Sequence, residues 1–268
     1  MKSPRLVATD LDGTLVRTDY TISPRSVVVL SRLRALGTAV VFVTGRPIRW
    51  LHMAYAQLPV QPLAVCANGA AVYDPATDEI VHGVELGPDA LAEACARLRA
   101  AVPGVTFGAE RDGGRTMVHE RGYPVGGWEV GHPSISEVGA RELIAEPAAK
   151  LLVKAGPQWP DEFTDRVRAC LDGVAEATHS SNSGMVEVSA SGVTKAAGLA
   201  WVADRLGVPA ADVVAFGDMP NDLPMLAWAG RGVAMANGHP AVLAAADEVT
   251  AGNDADGVAA YLERLFVS

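Results

Sequence analysis

The sequence predicts an α/β fold, a doubly wound parallel sheet with a second α/β domain inserted into it. Three observations carry that prediction. Short apolar runs without alternation recur at both ends of the chain, as strands buried on both faces of a parallel sheet require. Segments of helical period lie between them with short joints, the grammar that gives right-handed crossovers and helices on both faces. A middle block, from about Gly83 to Gly184, breaks this rhythm with denser turn signals.

The elements follow in order. Leu6 to Thr9 reads as a strand. Ser23-Pro24 is an N-cap and first helical position; Val27, Leu30, Leu33 and Leu36 keep helical spacing, and Gly37 closes the helix. Thr38 to Val43 is the second strand, Ile48 to Leu58 a short helix, and Leu63 to Ala67 the third strand. In the middle block, Arg111-Asp112-Gly113-Gly114-Arg115 reads as a hairpin turn between Val105–Phe107 and Thr116–His119. Gly126-Gly127, His132-Pro133 and Trp159-Pro160 punctuate the rest. Ala90 to Ala101 and Asp161 to Leu171 read as amphipathic helices, and Lys150 to Val153 as a strand. The earlier grammar then returns. Thr194 caps a helix running to Leu206, Val213 to Phe216 is a strand, and a helix lies around Pro224 to Ala229. Val233 to Met235 is a strand and Asp256 to Phe266 a terminal helix. The expected architecture is a Rossmann-like core in two segments, 1–83 and 187–268, with an inserted α/β (α+β) domain at 84–186. Hinges are expected near Val81–Glu85 and Met185–Ser189.

Composition narrows the function classes. With 268 residues, 49% hydrophobic and 20% charged, the chain suits one large domain or two of ordinary size, with a substantial core. A formal net charge of −9 disfavours non-specific nucleic-acid binding. An acidic protein that handles phosphate must supply local positive charge from a metal ion or a few placed Lys and Arg. Cys66, Cys95 and Cys170 fit no C-x-x-C pattern and read as free thiols in a reducing compartment. No signal-like segment begins the sequence, and no stretch approaches the ~18 apolar residues of a membrane span. The expectation is a cytoplasmic protein with no membrane or nucleic-acid partner. Oligomeric state is not legible.

Ligands of open α/β sheets bind outside the carboxyl ends of the strands. The first strand delivers Asp10 and Asp12 there, two carboxylates whose i, i+2 spacing aims them from one strand tip toward one space. Such a pair can divide nucleophile or metal-ligand work from proton transfer, although Asp-Gly turns are also common after strands. The second strand delivers Thr44-Gly45-Arg46, either an ordinary turn or a hydroxyl and N–H grip for a phosphoryl oxygen. The third delivers Asn68-Gly69, and Val213 to Phe216 delivers Gly217-Asp218-Met219-Pro220-Asn221-Asp222. Lys195 stands in the first turn of a helix, against the dipole; it reads either as a solvated lysine or as a broken local rule of the kind that often marks function. Together these parts meet the needs of phosphoryl transfer, which depends on placement and charge neutralisation. Asp10 and Asp218 would repel a phosphate dianion unless a hard dication, Mg2+ most naturally, bridged them.

Asp-Leu-Asp-Gly-Thr at 10–14, Thr-Gly-Arg at 44–46, Lys195 and Gly-Asp-Met-Pro-Asn-Asp at 217–222 resemble, in order and spacing, the four motifs of the haloacid-dehalogenase superfamily. The insertion between the second and third is similar to the α/β cap of its Cof-like phosphatases. The resemblance implies Asp10 as nucleophile and Asp12 as general acid and then base. It implies Mg2+ held by Asp10, the Asp12 carbonyl and Asp218. Thr44 and Gly45 would grip the phosphoryl group, Lys195 would orient and neutralise Asp10, and Asn221 would touch phosphate or water. Asp222 would support the metal shell or Lys195, and Arg46 and Asn68 would face the cap and reach the substrate. The sequence departs from the family in having Ala196, where Gly usually follows the lysine.

Other sites carry less. The six histidines form no zinc pattern, no P-loop is present, and Gly230-x-Gly232 lacks the third glycine of a dinucleotide fingerprint. Trp50, Trp128, Trp159, Trp201 and Trp228 read as packing residues, and Ser180, Ser181 and Ser183 as loop residues. Glu110, Arg111, Asp112, His119 and His179 read equally as candidate cap contacts to substrate or as surface and turn residues. The expected function is that of a phosphoric monoester hydrolase acting on small phosphorylated metabolites, sugar phosphates among them. The rivals are a phosphomutase on the same scaffold and a non-catalytic phosphate-binding sensor.

Overall fold

The structure is a computed structural model that describes residues 4–126, 129–157, 159–180 and 183–266. Gly127, Trp128 and Ser181, singled out above, lie outside the described residues. Its strands in chain order are β1 Leu6–Thr9, β2 Ala39–Val43, β3 Leu63–Cys66, β4 Ala71–Asp74, β5 Glu79–Gly83, β6 Thr106–Arg111 and β7 Thr116–Glu120. They continue with β8 Ile135–Val138, β9 Lys150–Lys154, β10 Glu176–Thr178, β11 Val186–Ser189, β12 Val213–Gly217, β13 Arg231–Met235 and β14 Glu248–Thr250. The α-helices are α1 Pro24–Ala35, α2 His52–Tyr55, α3 Pro88–Ala101, α4 Ala140–Leu143, α5 Pro160–Cys170, α6 Lys195–Arg205, α7 Leu223–Trp228, α8 Pro240–Ala245 and α9 Gly257–Phe266.

The chain packs as two units, one of residues 1–46, 50–81 and 194–268, the other of residues 47–49 and 82–193. The first unit is built on a sheet of order β14-β13-β12-β1-β2-β3-β4-β5, parallel from β14 to β3 and reversing at β4. Side-chain alternation explains its two covered faces. Leu6, Ala8, Val41, Val43, Val213 and Ala215 pack with Leu199, Val202, Met225 and Val242 of α6, α7 and α8. Phe42 and Phe216 point the other way: Phe42 stacks on Tyr55 of α2, and Phe216 meets Tyr261 of α9 edge-on at 5.3 Å. The α/β, doubly wound reading therefore describes this sheet. Its hairpin β4–β5 was not foreseen.

The second unit carries a sheet of order β10-β11-β9-β6-β7-β8, antiparallel except where β8 joins β7. The hairpin between β6 and β7 turns at Asp112–Gly114, with Gly113 at φ 61. Leu91 and Leu98 of α3 and Phe163 and Val167 of α5 pack with Phe107, Leu151, Val153 and Val186. Lys150 and Glu187 form a buried ion pair at 2.7 Å. Because β11 hydrogen-bonds to β9 and β10, residues 187–193 group with this unit, and the division falls between 193 and 194. The stretch expected as one helix from Ile48 to Leu58 is a 3-10 turn at Ile48–Trp50 followed by α2. The break follows the change of packing unit after Arg49, whose guanidinium pairs with Glu110 and Glu129. Among the described residues no helix is long and apolar enough to cross a membrane.

One close approach places the first turn of α6. Gly69, at the exit of β3, has φ +109, and a Cβ there would lie 2.1 Å from the carbonyl oxygen of Thr194, the N-cap of α6. Gly198, one turn into α6, faces Val65 and Gly69 just as closely. We expect Gly69→Ala to destabilise the protein by at least about 2 kcal/mol, from overpacking and positive φ together. Urea unfolding monitored by circular dichroism checks this, and an unchanged midpoint contradicts it.

Candidate functional site

Asp10 is the first residue beyond β1, and its N–H donates to the Phe216 carbonyl at the end of β12, 3.0 Å away. Two adjacent parallel strands thus fix its backbone. Its side chain is buried, and Lys195 Nζ donates to its Oδ1 at 2.7 Å. The same ammonium donates to Asp222 Oδ1 at 2.5 Å. Lys195 is 1% exposed, so the cation in the first turn of α6 is held by two acids and not by water. Thr194 caps that turn, its hydroxyl oxygen accepting from the Ala197 N–H.

Asp222 is fully buried, and its other oxygen, Oδ2, accepts from the N–H groups of Asp218 and Met219, each at 2.9 Å. Its carboxylate is therefore committed to three donors and orients the turn after β12. Asp218 stands beside it, with Oδ1 accepting from the Thr14 hydroxyl at 2.9 Å. Gly13, at φ +76, makes room for this acid, because a Cβ would lie 2.3 Å from Asp218 Oδ2. One carboxylate oxygen from each of Asp10, Asp218 and Asp222 lies within 4.8 Å of the others.

Burial governs the ionisation of these acids. Burial pushes the Asp10 carboxyl well above its ordinary range; Lys195 opposes the shift, and Asp222, Asp218 and Asp12 add to it. Burial also pushes Asp218 up to about 7, reinforced by Asp222 and opposed by Thr14 and Lys195. For Lys195, burial acts to lower the value, but Asp10 and Asp222 outweigh it and the net shift is upward. Among the described residues this is the cluster whose carboxylates are spaced for a metal, and oxygen donors of this kind suit a hard dication.

The remaining predicted residues divide. Thr44 is buried, and its hydroxyl oxygen accepts from the Arg46 N–H at 3.0 Å, which leaves the hydroxyl proton available to another acceptor. Gly45 is half-buried beside it. Asn68, with φ 59, accepts from Asn221 Nδ2 at 3.0 Å, joining the exits of β3 and β12. Asn221 Oδ1 is buried with no hydrogen-bond partner among the described residues. Asp12 does not share the partners of Asp10. Its side chain is 51% exposed and is gripped by Arg46, which was expected to reach substrate. Sequence reasoning missed Thr14 as the partner of Asp218, although it closes the Asp-Leu-Asp-Gly-Thr motif.

The candidate contacts in the second unit are engaged there. Glu110 pairs with Arg49, Arg111 with the Glu142 carbonyl and Glu146, and Asp112 with Arg115. His119 Nδ1 lies 3.1 Å from the Glu120 carbonyl, and buried His179 lies against Thr164 and Asp161. A cavity of about 550 Å³ in the first unit, lined by Leu30, Thr38, Val41 and Leu63, contains none of the predicted site residues.

Residues 7–262 match the family described as haloacid dehalogenase-like hydrolase. A 5-amino-6-(5-phospho-D-ribitylamino)uracil phosphatase of Bacillus subtilis is 32% identical over 268 residues, covering 98% of each chain. A phosphoglycolate phosphatase of Natronomonas pharaonis is 30% identical, covering 96% of each. A solved phosphatase of the haloalkanoate (HAD) enzyme superfamily from Bacteroides thetaiotaomicron superposes with a TM-score of 0.82 at 25% identity, covering 99% of this chain and 96% of that one.

The raised Asp218 value has a signed consequence. Between the ordinary value of 3.8 and about 7 the unfolded chain loses this proton while the folded protein keeps it. The contribution of Asp218 to stability is therefore full below pH 3.8 and is lost as pH rises through 7. In metal-free buffer the denaturation midpoint is expected to fall across that window more in wild type than in Asp218→Asn. Parallel pH profiles for the two proteins contradict the assignment.

Proposed function

The chain belongs to the haloacid dehalogenase-like hydrolase family, and on that premise we propose that it is a Mg2+-dependent phosphatase of small phosphorylated metabolites, sugar phosphates among them, acting through an aspartyl-phosphate on Asp10. Its reaction class is phosphoric monoester hydrolysis. The observation that carries the reading is the buried chain Asp10–Lys195–Asp222 with Asp218 alongside, four acidic and basic groups from distant parts of the sequence. A site that only bound phosphate would gain nothing from concentrating carboxylates there.

In this reading Asp10 attacks phosphorus through Oδ2, the oxygen that Lys195 does not hold. The new bond forms as the bond from phosphorus to the leaving alcohol breaks, and Asp12 gives its proton to the departing oxygen. Asp12 then takes a proton from the water that attacks the aspartyl-phosphate. The bond to Asp10 breaks and inorganic phosphate leaves. Thr44 donates its hydroxyl proton to a phosphoryl oxygen beside the Gly45 N–H, and Asn221 offers a further polar contact. Asp10, Asp218 and the main-chain carbonyl of Asp12 would hold Mg2+, which when bound offsets the repulsion between these acids and a phosphate dianion. Asp222 keeps Lys195 and the Asp218 backbone in place.

The substrate class draws on the relatives, whose named activities share a phosphate monoester on a small polar metabolite. The inserted domain, read from the sequence as residues 84–186, is the part we propose selects the leaving alcohol. A panel of such metabolites assayed for phosphate release identifies the substrate.

Asp10→Asn is expected to reduce turnover of every substrate to background while leaving the circular dichroism spectrum unchanged. Near-wild-type hydrolysis of p-nitrophenyl phosphate by that variant contradicts the nucleophile assignment. Exhaustive chelation is expected to abolish wild-type activity and added Mg2+ to restore it; activity indifferent to chelation rules out the metal.

A further inference from the structure

The geometry points to Arg46 as the positioning residue for Asp12 rather than as a contact to substrate. Arg46 is 6% exposed and each of its guanidinium nitrogens is engaged. Nε donates to Asp12 Oδ2 at 2.7 Å, Nη2 to Asp12 Oδ1 at 2.5 Å, and Nη1 to the Trp50 carbonyl at 3.4 Å. Its backbone is fixed as well, with the N–H on the Thr44 hydroxyl and the carbonyl accepting from Ala67. Asp12 is the opposite kind of residue. Its carboxylate lies half in solvent, and Arg46 is its hydrogen-bonding side-chain partner among the described residues. The planar fork of an arginine holds both oxygens of a carboxylate at once, so the buried partner dictates where the exposed one sits.

This inference rests on the reading of Asp12 as the proton carrier. That role needs the carboxyl within about 2.6–3.2 Å of the oxygen it serves, and a misplacement of about 1 Å can cost about 100-fold. An exposed aspartate free to change rotamer does not meet that tolerance. The Thr44–Arg46 turn supplies the constraint. Its hydroxyl is the proposed grip on the phosphoryl group, and two residues later its guanidinium fixes the proton carrier. One short rigid turn therefore sets the distance between phosphorus and acid. Lysine in place of Arg46 would keep the charge and lose the two-point grip.

The leaving group separates this role from a structural or phosphate-binding one. An alkyl phosphate needs a proton on its departing oxygen, whereas p-nitrophenolate leaves without one. We would measure kcat/KM, which reports on the step that expels the leaving group, for wild type, Arg46→Met, Arg46→Lys, Asp12→Asn and the double variant Arg46→Met/Asp12→Asn. Circular dichroism melting checks that each is folded. Arg46→Met is expected to lower kcat/KM about 100-fold for the alkyl ester and less than about tenfold for p-nitrophenyl phosphate. Arg46→Lys should fall between, and the double variant should be no slower than Asp12→Asn alone. An equal loss on both esters, or a loss that adds to that of Asp12→Asn, overturns the inference. A wild-type enzyme that hydrolyses neither ester nor any metabolite defeats the phosphatase reading itself. An active wild type matched by Arg46→Met defeats only the positioning role.

Discussion

Lys195 sits between Asp10 and Asp222 with almost no exposed surface, and the rest of the site is arranged around that contact. A buried cation without partners costs about 3–5 kcal/mol, so α6 can begin here only because two acids meet it. The converse does not balance. Asp10, Asp218 and Asp222 face a single ammonium, which leaves two negative charges uncompensated when all three are ionised. The upward shifts of Asp10 and Asp218 come first from burial, with repulsion from the neighbouring acids adding to it. A bound dication would remove the charge deficit, and this charge accounting links the fold to the proposed chemistry.

Backbone geometry makes the convergence possible. Asp10 reaches the site because β1 is sandwiched between β12 and β2, so its peptide is locked to the end of β12. Asp218 reaches it because Gly13 leaves space where any side chain would collide. The Lys195 end of α6 approaches β3 across Gly69 and Gly198, so the glycine that matters most in this helix is Gly198 and not the position after the lysine. Ala196, the departure from the family pattern, lies half-buried without disturbing the Lys195 contacts.

What was legible in the sequence was local. Uninterrupted apolar runs announce β1, β2, β3, β12 and β13 because parallel strands bury both faces, and Ser23, Thr194 and the glycines after helices mark helix ends by their own chemistry. The strand exits named the acids. Partner choice was not legible, because it depends on where remote elements dock. Asp10 and Asp12 leave one strand tip, yet one turns inward to Lys195 and the other outward to Arg46. Spacing alone could not show that Asp222 spends its carboxylate on Lys195 and two backbone N–H groups. In the second unit the same limit hid β11, whose partners β9 and β10 are distant or mixed with turns, and the buried Lys150–Glu187 pair, whose members are 37 residues apart.

The claim underneath all of this is that the acids of β1 and β12 share one divalent cation. Electron paramagnetic resonance with Mn2+ in place of Mg2+ tests it without substrate or turnover. Titration should show one bound ion per chain in the wild type, displaced by excess Mg2+, and none at that site in Asp218→Asn. An undiminished bound signal in Asp218→Asn, or no bound ion in the wild type, would contradict the account.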